Sequence, residues 1–172
     1  MAVPQKIIMN KMRNISGNMP AIKFLDKNKA KYEVLKHRTV YTAFDKSATL
    51  KVKPQIIGKT LAMRLDKNPA LVLIPANRNL DKQKLKKLTK AKSIDFIKEA
   101  WMKKNLKGIK MGAVPPFGSL WKMPTFIDRG LIQNPKIIVN SGDYNFSLKI
   151  SPTVLKKTIP DLIIGNFSQT RK

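Results

Sequence analysis

The chain has 172 residues, 42% of them hydrophobic, which is enough to fill the core of one domain. Its 35 Lys and Arg against 10 Asp and Glu give a formal charge of +25, and a field of that sign attracts polyanions. Because there is no cysteine and only one histidine, His37, the composition excludes disulfides, a thiolate nucleophile and multi-histidine or Cys-type metal sites.

Charge and polarity also set expectations for location and organisation. No apolar run approaches the roughly 20 residues of a membrane span, and the N-terminus lacks a signal peptide's apolar core, so we expect a cytoplasmic protein without a membrane partner. Only six of the basic residues are Arg, and Lys acts mainly as a point charge on phosphate. This favours contact with a nucleic-acid backbone, although a lysine-rich solvated surface is the simpler alternative. We predict a basic N-terminal extension over residues 1–16 and one domain over residues 17–172.

The domain is predicted to begin with helices. Hydrophobic spacing indicates an amphipathic helix that buries Ile22 and Leu25, followed by a short strand near residues 32–35. A second helix is predicted within residues 39–52, with Thr39 as its N-cap.

A β-hairpin is predicted from Ile56 to Ala76, because two apolar runs flank an Asp66-Lys67-Asn68 turn. The hairpin contains Gly58-Lys59-Thr60, which matches the end of a Walker A phosphate loop. However, Lys53 stands where that loop needs its first glycine, so a triphosphate site is not expected. Alternation places Lys59 on an otherwise apolar strand face. It is therefore either an ordinary surface lysine or an anchor for phosphate in a polar cleft.

Two basic helices are predicted next, within residues 79–90 and 93–106. Their predicted inward positions are Leu80, Leu85 and Leu88 in the first helix and Ile94, Ile97, Trp101 and Leu106 in the second. The lysines that form a candidate phosphate-binding surface are Lys82, Lys84, Lys86, Lys87, Lys90 and Lys92. That role is predicted from charge alone.

Short strands and turns are expected from residue 108 onward. In "MGAVPPFG", residues 111–118, glycines free the backbone at both ends while two prolines stiffen the middle. Such a loop either presents amides to an oxyanion or a water, or is only a tight turn. Asp128, at the end of a β-branched and aromatic strand, either contacts a substrate or caps the following turn. His37 is likewise either a base or a half-buried structural side chain.

The last third of the chain is predicted to form a hairpin around Ser141-Gly142-Asp143, a short helix that starts at Ser151-Pro152, and a final strand. Helices and strands thus follow one another without strict βαβ alternation. This order predicts an α+β fold with a mixed or barrel-like sheet flanked by helices.

Several motifs, in their order, resemble the YbaK and prolyl-tRNA-synthetase-associated family of aminoacyl-tRNA deacylases. They are "PAIKFLDKN", "VLKHRTVYTA", "GKTLAM", "ALVLIPANRNLD", "GAVPPFG", "PTFID" and "SGDYNFSLKISP". The resemblance implies a free-standing trans-editing hydrolase, without metal or cofactor, that removes a wrong amino acid from tRNA. Its expected substrate is Cys- or Ala-tRNA for proline, its expected partner is mischarged tRNA, and an aminoacyl-tRNA synthetase is a second candidate partner.

The same resemblance implies roles for individual residues. Lys59 would contact the terminal adenosine and its phosphate, and the loop Gly112 to Pro116 would place backbone amides near the ester carbonyl. The implied catalytic residues are therefore Lys59, Gly112, Ala113 and Pro116. The implied substrate-binding residues are His37, Thr60, Phe117, Thr125, Asp128 and Gly142, and the tRNA-binding residues are Lys82, Lys84, Lys86 and Lys87. Ala113 and Pro115 stand where many relatives have Gly and Ser, which leaves the amino-acid preference open.

Two other functions fit the same composition. A non-catalytic basic module of the same fold would hold RNA while Lys59 and the Gly112 loop were inert. A ribosome-associated basic protein would use the hairpin and the Pro-rich loop only as core and turn.

Overall fold

The computed structural model describes residues 19–171, so the predicted extension over residues 1–16 lies outside the described residues. The described helices are α1 (Pro20–Lys27), α2 (Ala43–Leu50), α3 (Lys82–Thr89), α4 (Glu99–Asn105), α5 (Arg129–Ile132) and α6 (Pro152–Thr158), with 3₁₀ turns at Pro54–Ile56 and Gly118–Trp121. The strands are β1 (Glu33–Lys36), β2 (Gly58–Leu65), β3 (Asn68–Pro75), β4 (Arg78–Leu80), β5 (Ile94–Phe96), β6 (Thr125–Asp128), β7 (Ile137–Asn140), β8 (Phe146–Ile150), β9 (Ile163–Gly165) and β10 (Ser168–Thr170).

The main sheet has five strands in the order β5-β2-β3-β6-β9. Strands β2 and β3 form the predicted hairpin, with Gly58 opposite Pro75 and Leu65 opposite Asn68. On the other side of β3, strands β6 and β9 add in parallel. Residues 70–76 are buried, as expected for a central strand covered on both faces, and this explains their continuous apolar run.

Two smaller sheets complete the fold. Strands β1, β8 and β7 form an antiparallel sheet, and β10 pairs with β4. A parallel bridge between Ile57 and Ile138 places the start of β2 beside β7. The mixed strand directions and flanking helices confirm the predicted α+β class.

The largest hydrophobic cluster packs α1 and α6 against the sheets. Ile22 and Leu25 of α1 meet Leu73, Ile127 and Leu148, and all five are at most 1% exposed. Full burial of such a side chain is worth about 1.5–3 kcal/mol, so this cluster stabilises the packing of α1 against the sheets. None of the helices within residues 19–171 is long and apolar enough to cross a bilayer.

Several element predictions were wrong in detail. Thr42, not Thr39, caps α2, since its Oγ1 accepts the amide of Asp45 at 3.0 Å. Ile94 begins strand β5 rather than a helix, because the edge of β2 offers it a partner. Leu80 lies in β4, and Leu88 is 41% exposed on α3, where the short helix turns that position away from the core.

Candidate active site

A cavity of about 290 Å³ lies where α2, β2, the loop after α4 and the β7–β8 hairpin meet. The residues that line it are Val40, Tyr41, Thr42, Ala43, Lys46, Lys59, Thr60, Leu61, Gly112, Ala113, Asn140 and Asp143. The fold therefore brings together two segments that the sequence singled out separately. These are Lys59-Thr60 of the hairpin and Gly112-Ala113 of the Pro-rich loop.

Lys59 enters the cavity from the start of β2. It follows the Ile57–Ile138 bridge by two residues, as Asn140 does on the neighbouring strand, and both side chains line the cavity. The Lys59 ammonium donates to the carbonyl of Arg78 at 3.1 Å, which uses one of its three donors. Partial burial lowers the Lys59 pKa, and the positive charge of Arg171 lowers it further.

Gly112 gives the Pro-rich loop its shape at the cavity. Its φ of +84° lies in the left-handed region, which glycine adopts without a Cβ penalty. The neighbouring amide of Ala113 donates to the carbonyl of Lys110 at 3.0 Å and so closes a turn. Within residues 19–171 the Gly112 amide has no acceptor. Of the two loop residues that line the cavity, Gly112 therefore has the available amide.

The far end of the loop is fixed by Thr125. Its hydroxyl donates to the carbonyl of Pro116 at 2.9 Å and accepts the amide of Gly118 at 3.0 Å. Phe117, between them, is fully buried in the hydrophobic core. The predicted site residues Pro116, Phe117 and Thr125 are thus not among the residues that line the cavity. Their contacts hold the loop in position.

The near end of the loop is held by the β7–β8 hairpin. The Asn140 side-chain amide donates to the carbonyl of Val114 at 3.2 Å, and the Tyr144 hydroxyl donates to the carbonyl of Met111 at 2.6 Å. Gly142, at φ +101°, accepts the amide of Lys110 through its carbonyl. Gly142 itself does not line the cavity, but its turn carries the neighbouring lining residue Asp143.

Asp128 lies outside the cavity lining and serves as a buried cap. One carboxylate oxygen accepts the amide of Gly130 at 3.0 Å at the start of α5, and the other accepts the amide of Phe167 at 3.0 Å. This is the capping alternative that the sequence left open. Its contact with a substrate stays a prediction.

His37 also lies outside the cavity lining. Its Nδ1 is 2.8 Å from the carbonyl of Arg38, which only a protonated Nδ1 can satisfy, and its Nε2 is 2.8 Å from the hydroxyl of Ser147. Burial is the main effect that lowers the His37 pKa, so the neutral ring is favoured at pH 7. With both nitrogens engaged, the geometry gives His37 a structural place, and its role toward a substrate stays a prediction.

The basic helix α3 is separate from the cavity. Lys84 donates to the carbonyl of Ser168 at 3.4 Å, and the Lys82 ammonium lies 5.4 Å from the centre of the Phe96 ring. None of the four lysines predicted to bind tRNA lines the cavity, and their role stays a prediction from charge.

Sequence reasoning missed Lys46, which is only 5% exposed. It lies on the inner face of α2, and its ammonium donates to the Asn140 side-chain oxygen at 2.6 Å. Burial lowers the pKa of Lys46 to about 8. A signal was present, since Ala43, Lys46, Ser47 and Leu50 have the spacing of one helix face, where a lysine is out of place.

Three further lining residues give the cavity its character. The Thr60 hydroxyl is buried without a hydrogen-bond partner within residues 19–171. Among the described residues Asp143 is the one acid in the cavity lining, and it pairs with Lys110 at 2.8 Å. Tyr41 is 66% exposed, with its ring edge-on to Tyr144 at 4.8 Å between centres. The cleft therefore combines two lysines, one carboxylate and an exposed aromatic ring.

Comparison with solved structures shows the same fold in other proteins. The crystal structure of hypothetical protein APE2540 is 20% identical, with a TM-score of 0.78 over 87% of this chain and 99% of that one. The crystal structure of a proposed trans-editing enzyme for prolyl tRNA synthetase is 19% identical, with a TM-score of 0.74 over 87% of this chain and 95% of that one. At these identities the likeness shows the fold alone.

Comparison with protein families is more specific. The family described as the aminoacyl-tRNA editing domain matches residues 37–158, a range that includes Lys46, Lys59, the Gly112 loop and the β7–β8 hairpin. The match covers more than half of the sequence. The chain therefore belongs to the aminoacyl-tRNA editing domain family.

Proposed function

We propose that this protein is an aminoacyl-tRNA deacylase, which hydrolyses the ester between a wrong amino acid and the 3′ ribose of tRNA. The observation that carries the proposal is the shared cavity. Lys59-Thr60 and Gly112-Ala113 line one cleft although about fifty residues separate them in the chain. Membership of the editing-domain family supports the same reaction class.

The reaction needs few groups because the ester is already labile. Water attacks the carbonyl carbon, the carbonyl oxygen becomes an oxyanion, and the bond to the ribose oxygen breaks as that oxygen takes a proton. The products are a free amino acid and an uncharged tRNA. The free amide of Gly112 suits the oxyanion, and the loss of one such donor typically costs about 100-fold to 1000-fold in rate.

Lys59 has a different task in this proposal. With one donor bound to the Arg78 carbonyl, its remaining N–H groups can bind the phosphate or ribose oxygens of the terminal nucleotide. Arg171, which lies within electrostatic reach of Lys59, adds a second positive charge for the same phosphate. Fixing the nucleotide end would place the ester beside the Gly112 loop, and such positioning contributes to catalysis.

The proposed enzyme acts in trans on mischarged tRNA in the cytoplasm, without a metal ion. Ala- and Cys-tRNA for proline are the substrates that the family resemblance implies, and they lead the panel to be tested. The basic lysines of α3 are proposed to hold the acceptor stem through its phosphates.

The test is deacylation of a panel of mischarged tRNAs by the wild type and Lys59→Ala. Lys67→Ala is the matched control, because Lys67 is exposed at the opposite end of the same hairpin. We expect hydrolysis by the wild type and the control, with a loss of at least about tenfold in Lys59→Ala. No hydrolysis of any member, together with retained salt-sensitive RNA binding, would instead identify a non-catalytic binding module.

A further inference from the structure

The buried ammonium of Lys46 has no role in the mechanism above. The two ion pairs formed within residues 19–171 are Arg38–Asp45 and Lys110–Asp143, and neither includes Lys46. In the described part of the chain, the one hydrogen bond of the Lys46 ammonium goes to the neutral side-chain oxygen of Asn140. A lysine is almost never buried without a charged partner, because removing its charge from water is costly.

Asn140 holds this ammonium in a defined place. Its oxygen accepts from Lys46 at 2.6 Å, while its amide donates to the carbonyl of Val114 at 3.2 Å. Lys46 is thereby tied, through one side chain, to the loop that carries Gly112. Two N–H groups of the ammonium are left for a further acceptor, since lysine has three donors. At pH 7 the ammonium remains mostly charged, because its pKa is about 8.

The positive charges in and near the cleft lie at two depths. Lys59 is half-buried, and the residue within its electrostatic reach, Arg171, is exposed. Lys46 is much more deeply buried, at 5% exposed. A nucleotide phosphate, which stays near solvent, fits the outer pair. The deeper charge, that of Lys46, can then bind the part of the substrate that enters the cleft furthest, which is the acyl group.

We propose that Lys46 and Asn140 form an anion subsite that receives the side-chain carboxylate of an acidic aminoacyl group, aspartyl or glutamyl. The proposal rests on the proposed deacylase function and names a substrate class that differs from the Ala and Cys groups implied by the family resemblance. The charge of another lining residue suits such a substrate. The Asp143 carboxylate, which pairs with Lys110 and accepts the amide of Asn145, places a negative charge beside the cleft for its α-ammonium. A small apolar acyl group would leave the Lys46 charge without a counter-ion.

The test is binding of stable amide analogues of the acylated 3′ end. Aspartyl and asparaginyl 3′-amido-3′-deoxyadenosine have side chains of nearly the same shape, but one carries a charged carboxylate and the other a neutral amide. Alanyl analogues with and without a 5′-phosphate complete the set. Calorimetry at pH 7 would compare the wild type, Lys46→Met and Lys46→Arg. Met keeps the length of the side chain without its charge, and Arg keeps the charge.

We expect the wild type to bind the aspartyl analogue about 10-fold to 100-fold more tightly than the asparaginyl analogue, as a charge-assisted hydrogen bond gives. Lys46→Met should lose this preference and Lys46→Arg should retain part of it. Equal binding of the two analogues by the wild type would overturn the proposal. The proposal would also be overturned if the only defect of Lys46→Met were weaker binding of the 5′-phosphorylated alanyl analogue. Lys46 would then bind the phosphate rather than the acyl group.

Measurements of ester hydrolysis distinguish a failure of this proposal from a failure of the proposed function. Wild-type deacylation of alanyl-tRNA without any preference for the aspartyl analogue would retain the deacylase and refute the anion subsite. A clear aspartyl preference in binding, with no ester hydrolysed, would retain the subsite and refute the deacylase. Lys67→Met, changed at an exposed position away from the cavity, should match the wild type in every arm.

Discussion

Replacement of Lys46 by Met should change how stability depends on pH. The pKa of Lys46 falls from 10.5 to about 8 because burial disfavours the charged form. Between these values the unfolded chain holds a proton at Lys46 that the folded chain has released, so the stability of the wild type rises with pH. Below pH 8 both states are protonated and the cost of the buried charge is fully present. Lys46→Met has no such cost at any pH.

The size of the effect follows from the shift. One pKa unit corresponds to about 1.4 kcal/mol, so the buried charge costs roughly 3 kcal/mol at pH 7, and the wild type recovers about 2 kcal/mol of this by pH 9.5. Met cannot make the hydrogen bond to Asn140, and this loss changes the free energy of unfolding of the variant by an amount that is nearly independent of pH. The quantity to compare is therefore the difference in the free energy of unfolding between variant and wild type at the two pH values.

Urea unfolding followed by tryptophan fluorescence measures this difference, with the half-buried Trp101 and Trp121 as probes. Lys67→Met is the control, and its difference from the wild type should stay constant with pH. Parallel stability curves for Lys46→Met and the wild type would show that Lys46 is solvated when folded. Both the burial and the subsite inferred from it would then be wrong.

Four further predictions concern the cleft and its surroundings. Gly112→Ala should fold with a loss of about 1 kcal/mol in the free energy of unfolding, because φ is +84°; the new Cβ itself would lie an ordinary 3.6 Å from the Tyr41 carbonyl oxygen. Since the substitution displaces the Gly112 amide, kcat/KM for deacylation should fall. An unchanged kcat/KM would exclude Gly112 from the chemistry. Asp128→Asn should lower the free energy of unfolding by about 1–3 kcal/mol, since a side-chain amide cannot accept from both Gly130 and Phe167 as the two carboxylate oxygens do. The folded variant should retain its kcat/KM. A loss of activity without a loss of stability would instead support a substrate contact. If the exposed Tyr41 ring stacks on the terminal adenine, Tyr41→Ala should raise KM about 10-fold and Tyr41→Phe should leave it unchanged. Equal KM values for Tyr41→Ala and the wild type in a steady-state assay would exclude stacking. Charge reversal of Lys86 and Lys87 should reduce the dependence of tRNA affinity on salt concentration, measured by filter binding, and an unchanged slope would remove α3 from the tRNA surface.

Local sequence signals predicted many elements because their causes are local. The β2–β3 hairpin follows from apolar runs around a turn, and α6 is capped by Ser151, whose hydroxyl accepts the amide of Val154 at 3.1 Å. Residues 94–96 form a strand instead of the predicted helix, because their state depends on a distant partner. The spacing of Ile94 and Ile97 fits a helix, but the edge of β2 was free to pair with this segment.

The sequence by itself determined the charge and the α+β class, and it singled out Lys59 and the Gly112 loop as candidates, since composition, periodicity and short motifs express these directly. The tertiary structure alone decided which residues share the cleft. The Ile57–Ile138 bridge places Lys59 beside Asn140, and Asn140 joins Lys46 to the loop across more than ninety residues of chain. Such contacts depend on long-range packing, which leaves no local pattern in the sequence. For the same reason the sequence left open whether Asp128 caps a turn, and the structure shows it capping α5 and binding the amide of Phe167.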